Sequence, residues 1–142
     1  PIDILVVDDE EDFVEMLSMR LSDAGHRVRT AFDGDAALAA LDEAECDVVL
    51  LDIRMPGKDG ITVLKAIKHD HPLVEVILLT GHGTVDTAVD GLKSGAFDYV
   101  QKPAKFDELL EKLEDARDHR AEHEKRVRRA EARALMRHSG DV

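Results

Sequence analysis

Apolar residues recur along the chain in two rhythms. Short runs at residues 4–7, 28–32, 48–51, 74–79 and 97–100 alternate with longer stretches whose apolar positions fall three or four apart. The first rhythm predicts strands and the second amphipathic helices. Neither Val48-Val49-Leu50-Leu51 nor Val76-Ile77-Leu78-Leu79 alternates apolar with polar residues, as expected of strands covered by helices on both faces of a parallel sheet. Helical stripes run through Phe13, Met16, Leu17, Leu21 and Ala24, through Ala37, Leu38 and Leu41, through Ile61, Leu64 and Ile67, and through Val85, Val89 and Leu92. A fifth begins at Phe106, Leu109, Leu110 and Leu113. Gly25 and Gly95 follow the first and fourth stripes, where a helix end favours a left-handed glycine, and Pro72 follows the third. Strands that alternate strictly with helices through short loops predict right-handed βαβ crossovers. The expected fold is therefore α/β, with a doubly wound five-stranded parallel sheet.

The 142 residues suffice for one such domain. With 44% hydrophobic and 35% charged residues the chain is neither collagenous nor disordered, and a single cysteine, Cys46, excludes a disulfide scaffold. The sequence has no signal-peptide pattern and no apolar run approaching the roughly 18 residues of a membrane span, so a soluble, cytoplasmic protein is expected. The formal charge of −12 disfavours nucleic acid and membrane as partners. Residues 1–116 carry 11 basic and 26 acidic side chains, whereas residues 117–142 carry 8 and 5. That break divides the chain into a domain at 1–116 and a helical extension or linker at 117–142.

In an open parallel sheet the functional crevice lies beyond the carboxyl ends of the strands. The first predicted strand ends at Asp8-Asp9, the third at Asp52, the fourth at Thr80-Gly81 and the fifth at Lys102-Pro103. Independent stretches thus deliver three carboxylates, a hydroxyl and an ammonium to one edge. Carboxylates about 4 Å apart repel by roughly 1 to 4 kcal/mol per pair at effective dielectrics of about 80 to 20. Lys102 and a divalent cation can offset that repulsion, and hard oxygen ligands favour Mg2+ or Mn2+ over Zn2+. A carboxylate beside a metal and an amine is suited to attack on phosphorus, and Asp52, followed by the turn Ile53-Arg54-Met55-Pro56-Gly57, is the natural nucleophile. Each residue also has a plainer reading. Asp8 and Asp9, with Glu10, Glu11 and Asp12 behind them, suit a helix N-terminus, while Asp59 is better placed than Asp52 to cap the third helix. Gly81-His82-Gly83-Thr84 and Gly57-Lys58-Asp59-Gly60 lack the spacing of nucleotide-binding loops. The histidines are too scattered for a metal site, and Cys46 has no activating neighbour in sequence.

Asp8-Asp9, Asp52 with Met55-Pro56-Gly57 and Gly60, Thr80 and Lys102-Pro103, in this order and at strand ends, resemble the receiver domains of two-component response regulators. The resemblance covers residues 3 to about 116 and is closest to receivers of enhancer-binding regulators. It implies a flavodoxin-like strand order of 2-1-3-4-5 and phosphoryl transfer from a sensor histidine kinase to Asp52. Asp9, Asp52 and the Arg54 carbonyl would bind Mg2+, with Asp8 acting through metal-bound water. Thr80 would hydrogen-bond the aspartyl phosphate, Lys102 would pair with a phosphoryl oxygen, and the Lys102-Pro103 peptide would be cis. Tyr99 matches the aromatic that turns inward with the threonine, although by alternation it shares a face with Phe97, which leaves a plain packing role open. Arg54 and His82 occupy the positions that tune self-hydrolysis. The implied output surface is the fourth helix, fifth strand and fifth helix, with Val89, Leu92 and Tyr99 near it and a homodimer as one possible assembly. Enzymatic activity would be limited to the chain's own phosphorylation and dephosphorylation. The alternative is a Mg2+-dependent phosphohydrolase acting on an external phosphate ester. A flavodoxin-like cofactor binder is disfavoured by the 4% of aromatic residues.

The last helix is expected to continue. Leu109, Leu113, Ala116, Arg120, His123, Val127, Ala130 and Ala134 fall alternately four and three apart, no Gly or Pro intervenes before Gly140, and Glu122 with Arg126 supports the helix at i, i+4. Small and polar residues along this seam leave two readings, a solvated signalling helix or a marginal dimer seam. The basic run at 125–129 lacks aromatics, so no direct contact of this chain with nucleic acid is expected. Both a single-domain regulator and a piece of a longer enhancer-binding regulator fit the sequence.

Overall fold

The structure, a computed structural model, describes all residues except 56, 82–84 and 141–142. Its elements run β1 (Asp3–Val7), α1 (Glu11–Asp23), β2 (Arg27–Ala31), α2 (Gly34–Glu43), β3 (Val48–Asp52), α3 (Gly60–Asp70), β4 (Glu75–Thr80), α4 (Val85–Lys93), β5 (Asp98–Gln101) and α5 (Phe106–Gly140). The strands form one parallel sheet in the order β2-β1-β3-β4-β5. The two-sided burial expected of its central strands is met: every residue of β3 and β4 is buried.

Strand alternation divides the core in two. Ile4, Val6, Val48, Leu50, Ile77 and Leu79 meet α1 and α5 through Val14, Leu17, Leu21, Leu109 and Leu113. Leu5, Val7, Val49, Leu51, Val76 and Leu78 meet α2, α3 and α4 through Ala37, Leu41, Val63, Leu64, Ile67 and Ala88. Asp33 and Asp59 cap α2 and α3, accepting from the backbone N–H groups of Ala36 at 2.7 Å and Thr62 at 2.9 Å. Gly25 and Gly95 take the positive φ expected of them, 94° and 110°. Cys46 is buried and donates to the Val48 carbonyl at 3.4 Å, and burial pushes its thiol up to about 12.

Two helical faces differ from the predicted stripes. In α1 the buried positions are Val14, Leu17 and Leu21, while Met16 is exposed. In α4 the inward positions are Ala88 and Gly91, and Val89 and Leu92 point outward. The reason is close approach: a Cβ on Gly91 would lie 2.2 Å from Leu78 Cδ1, so the helix sits on the sheet through its smallest residues. The larger apolar side chains are left outside, a placement hydrophobic spacing alone does not reveal. A third difference concerns β5, which starts at Asp98, one residue after Phe97. Phe97 packs on the α1/α5 side, with its ring 5.3 Å from that of His119, and Tyr99 packs on the other core cluster. The two therefore do not share a face, because strand alternation has not begun at Phe97.

Helix α5 runs unbroken through the predicted extension. It is tied to the end of the sheet opposite Asp52. Arg120 donates to Asp47 at 3.0 Å and Glu45 at 3.3 Å, and His119 Nδ1 lies 2.9 Å from a Glu75 carboxylate oxygen. Farther along, Glu124 pairs with Arg128 at 2.6 Å and Glu122 with Lys125 at 4.0 Å, in place of the expected Glu122–Arg126 pair. Among the described residues no helix is long and apolar enough to cross a membrane.

Candidate functional site

Strand register builds the site. Val7 lies beside Leu51, so Asp8 and Asp52, one step beyond each, fall side by side at the ends of β1 and β3. Asp52 in turn lies beside Leu79, and Thr80 beside Gln101, which leaves Lys102 just past the end of β5. Alternation aims Asp8, Asp52 and Lys102 toward the α1/α5 side and Thr80 toward the α4 side.

The acidic cluster is present as predicted. Asp8, Asp9 and Asp52 each offer a carboxylate oxygen, and these oxygens lie within 4.8 Å of one another. Asp8 is fully buried, Asp52 is 8% exposed and Asp9 is exposed. Asp8 does not cap α1, whose N-cap is Glu10; its Oδ1 instead accepts the Glu10 N–H at 3.0 Å, and its Oδ2 accepts from Lys102 Nζ at 2.5 Å. Asp52 Oδ1 accepts the Arg54 N–H at 3.2 Å. Burial is the main influence on the Asp52 carboxyl and, helped by Asp8, pushes it up to about 7 against the opposing pull of Lys102 and the Arg54 N–H. A metal-free site thus resists full ionisation.

Gly60 explains how the turn after Asp52 is held. Its N–H donates to the Ile53 carbonyl at 2.8 Å, and a Cβ there would lie 2.6 Å from the Asp52 carbonyl oxygen and from Ile53 Cα. Only a glycine lets α3 press this closely against the backbone that carries the carboxylate. Gly57, in the same turn, has φ 82°.

Thr80 is buried and its hydroxyl donates to the Val100 carbonyl at 3.4 Å. Tyr99 is half-buried, and Lys112 Nζ donates to its carbonyl at 3.2 Å. The Lys102-Pro103 peptide is cis. Arg54 is exposed beside the acidic cluster, whereas His82, Pro56, Gly83 and Thr84 lie outside the described residues. Sequence reasoning missed Phe13, whose ring centroid lies 4.3 Å from Lys102 Nζ. The signal was its place in the first turn of the helix that starts at the acidic pair.

Residues 4–114 match the family model described as the response regulator receiver domain. The transcriptional regulatory protein ZraR of Salmonella typhimurium is 45% identical over 121 residues, which are 85% of this chain and 27% of that protein. The nitrogen assimilation regulatory protein NtrX of Azorhizobium caulinodans is 42% identical over 110 residues, 76% of this chain and 24% of that protein. The crystal structure of the receiver domain of NtrX from Brucella abortus superposes with a TM-score of 0.79 at 45% identity, covering 82% of this chain and 98% of that one. The chain spans about a quarter of the length of the curated relatives it matches. With the strand order, the acidic cluster and these matches in agreement, the chain belongs to the response regulator receiver domains, the phosphoacceptor modules of two-component signal transduction.

Proposed function

We propose that Asp52 is the phosphoacceptor of this receiver, loaded by a sensor histidine kinase in a Mg2+-dependent transfer. The observation that carries the reading is the three-carboxylate cluster at a β-strand edge with the Lys102 ammonium bound to it. Receivers work with histidine kinases and generally bind Mg2+ at an acidic pocket. The residues here fit that ion: the cluster supplies hard oxygen donors, and the raised Asp52 carboxyl reflects negative charge in need of compensation. Asp9, Asp52 and the Arg54 carbonyl would hold it, with Asp8 acting through water. When bound, Mg2+ supplies positive charge that offsets the carboxylates and the phosphoryl oxygens.

An Asp52 oxygen attacks phosphorus, the bond from phosphorus to the donor imidazole nitrogen breaks, and its electron pair stays on that nitrogen. Lys102 moves from Asp8 to a phosphoryl oxygen. Thr80 gives up the Val100 carbonyl for another phosphoryl oxygen, and Tyr99, on the same side of the sheet, follows it. Water later attacks phosphorus, breaking its bond to the Asp52 oxygen and restoring the carboxylate. Arg54 and His82 tune that step by restricting the water. The reading assigns residues 1–116 to the receiver and 117–142 to a helical extension. Its output surface is α4, β5 and α5, where outward-facing Val89 and Leu92 stand ready to meet a partner or a second copy. Hydrolysis of an external ester has no support among the relatives.

Incubation with acetyl phosphate and Mg2+, followed by intact mass and gel filtration, tests the reading. The wild type is expected to gain one phosphoryl group, and Asp52→Asn none. Equal labelling of the variant, or continuing release of phosphate from an ester by Asp52→Asn, would contradict it.

A further inference from the structure

We infer that Phe13 is a positioning residue for phosphoryl transfer, an aromatic platform that holds the Lys102 ammonium as it passes from Asp8 to the phosphoryl group. The inference rests on the function proposed above and adds a residue to its site. Lysine is poorly suited to this task by itself. Its four-carbon stem is flexible and its ammonium is strongly hydrated, so a lysine held only by one carboxylate is drawn into water once that contact breaks. Lys102 retains 21% side-chain exposure and has such a route open to it.

Phe13 closes that route. Its ring lies 4.3 Å from Lys102 Nζ, well inside the range of a cation–π contact. The Lys102 stem runs beside a small cleft walled by Phe13, Met16, Leu17, Leu79 and Val100, where its methylenes find apolar cover. Attraction to a ring face is not tied to one hydrogen-bond direction. The ammonium can therefore turn from Asp8 Oδ2 to a new oxygen without leaving the ring. Asp8 fixes the resting end of this motion, because it is fully buried and its other oxygen is already engaged by the Glu10 N–H. Phe13 is set by the same turn of chain, five residues after Asp8 in the first turn of α1.

The test uses Phe13→Leu, Phe13→Met and Phe13→Tyr in the full chain, with acetyl phosphate as donor and Mg2+ as metal. Phe13→Leu and Phe13→Met keep apolar bulk without a ring and are expected to lower the phosphorylation rate at saturating donor by about three- to tenfold, with Mg2+ affinity by calorimetry held within about twofold. Phe13→Tyr restores the rate. In a Lys102→Met background, Phe13→Leu has no further effect, a coupling that damaged packing alone would not produce. Independently, the Lys102 ε-methylene proton resonances of the wild type are displaced by the ring current, and the displacement disappears in Phe13→Leu. An undisplaced wild-type resonance, unchanged rates in both apolar variants, or an equal loss in the Lys102→Met background would overturn the inference. The resonance needs no phosphoryl transfer, so a wild type that takes no phosphoryl group overturns the proposed function while the ring-current result still reports on Phe13. Should Phe13→Leu fold poorly, Phe13→Met and the wild-type spectrum still decide the matter.

Discussion

Asp52 is held in conflict with its surroundings. Burial and Asp8 raise its carboxyl from 3.8 to about 7, so the folded, metal-free chain binds a proton there that the unfolded chain has already released. That contribution to stability is complete below about pH 4 and is lost as the pH rises through about 7. In the absence of metal, Asp52→Asn is expected to remove this loss and to be more stable than the wild type at pH 8, by on the order of 2 kcal/mol. Urea unfolding of both proteins from pH 4 to 8 measures the difference, and parallel profiles would contradict it. Mg2+ should narrow the gap by stabilising only the wild type. Gly60 makes a second prediction at this scale. A methyl group there meets the Asp52 and Ile53 backbone at 2.6 Å, and backbone cannot swing aside as a side chain can. Gly60→Ala should cost roughly 1 to 3 kcal/mol and slow phosphorylation as the Asp52 turn is displaced. Thermal unfolding together with labelling rates would show both losses.

At the scale of elements, α5 behaves as a shaft fixed at one level. Arg120 grips Asp47 and Glu45, and His119 reaches Glu75, which also receives Lys68 at 3.5 Å. Beyond this collar the helix is largely exposed, with Leu135 and Met136 in the open. Arg120→Ala should therefore leave the sheet intact while increasing amide exchange beyond residue 120. Hydrogen exchange by mass spectrometry would show it, and unchanged protection would mean that the shaft is held elsewhere. Glu45 also joins the collar to His71, whose two ring nitrogens lie 2.6 Å from Glu45 and 2.9 Å from Asp42. Burial opposes the charged form of His71, but the hydrogen bonds and charges of Glu45 and Asp42 outweigh it, so its pKa rises above 6.5. The stability His71 adds is complete below 6.5 and falls as the pH passes its raised folded value. Its ring resonances should titrate above 6.5, and a midpoint below that value would contradict the paired arrangement. Helix α4 has a different character. Its small residues lie inward and its large apolar ones outward, so its outer face is free to serve as a contact surface without loss of core packing.

For the molecule as a whole, the sequence carries whatever depends on order and period. The unalternating runs of β3 and β4, the glycines after α1 and α4, and the polar residues at four strand ends were legible because each is a local signal, and the parallel sheet converts them into one site. Asp8 and Asp52 are neighbours only through strand register, yet both could be named in advance because each simply follows its own apolar run. Other features need three-dimensional proximity between distant residues. Phe13 under Lys102, Arg120 on Asp47 and His119 on Glu75 leave no periodic trace. The inward face of α4 was misread for a related reason: hydrophobic spacing ranks Val89 and Leu92 above Ala88 and Gly91, whereas the packing distance to Leu78 selects the smaller pair. Phe97 and Tyr99 were placed together because a strand start, accurate only to a residue or so, decides the parity of everything after it.

The central claim is chemical and local, and it can be read at a single residue. After exposure to acetyl phosphate, reduction with borohydride converts an aspartyl phosphate to homoserine, which peptide mass mapping locates. The account predicts homoserine at position 52, formed with Mg2+ and absent when the metal is chelated. Homoserine at another aspartate, or the same yield at position 52 in chelator, would contradict it.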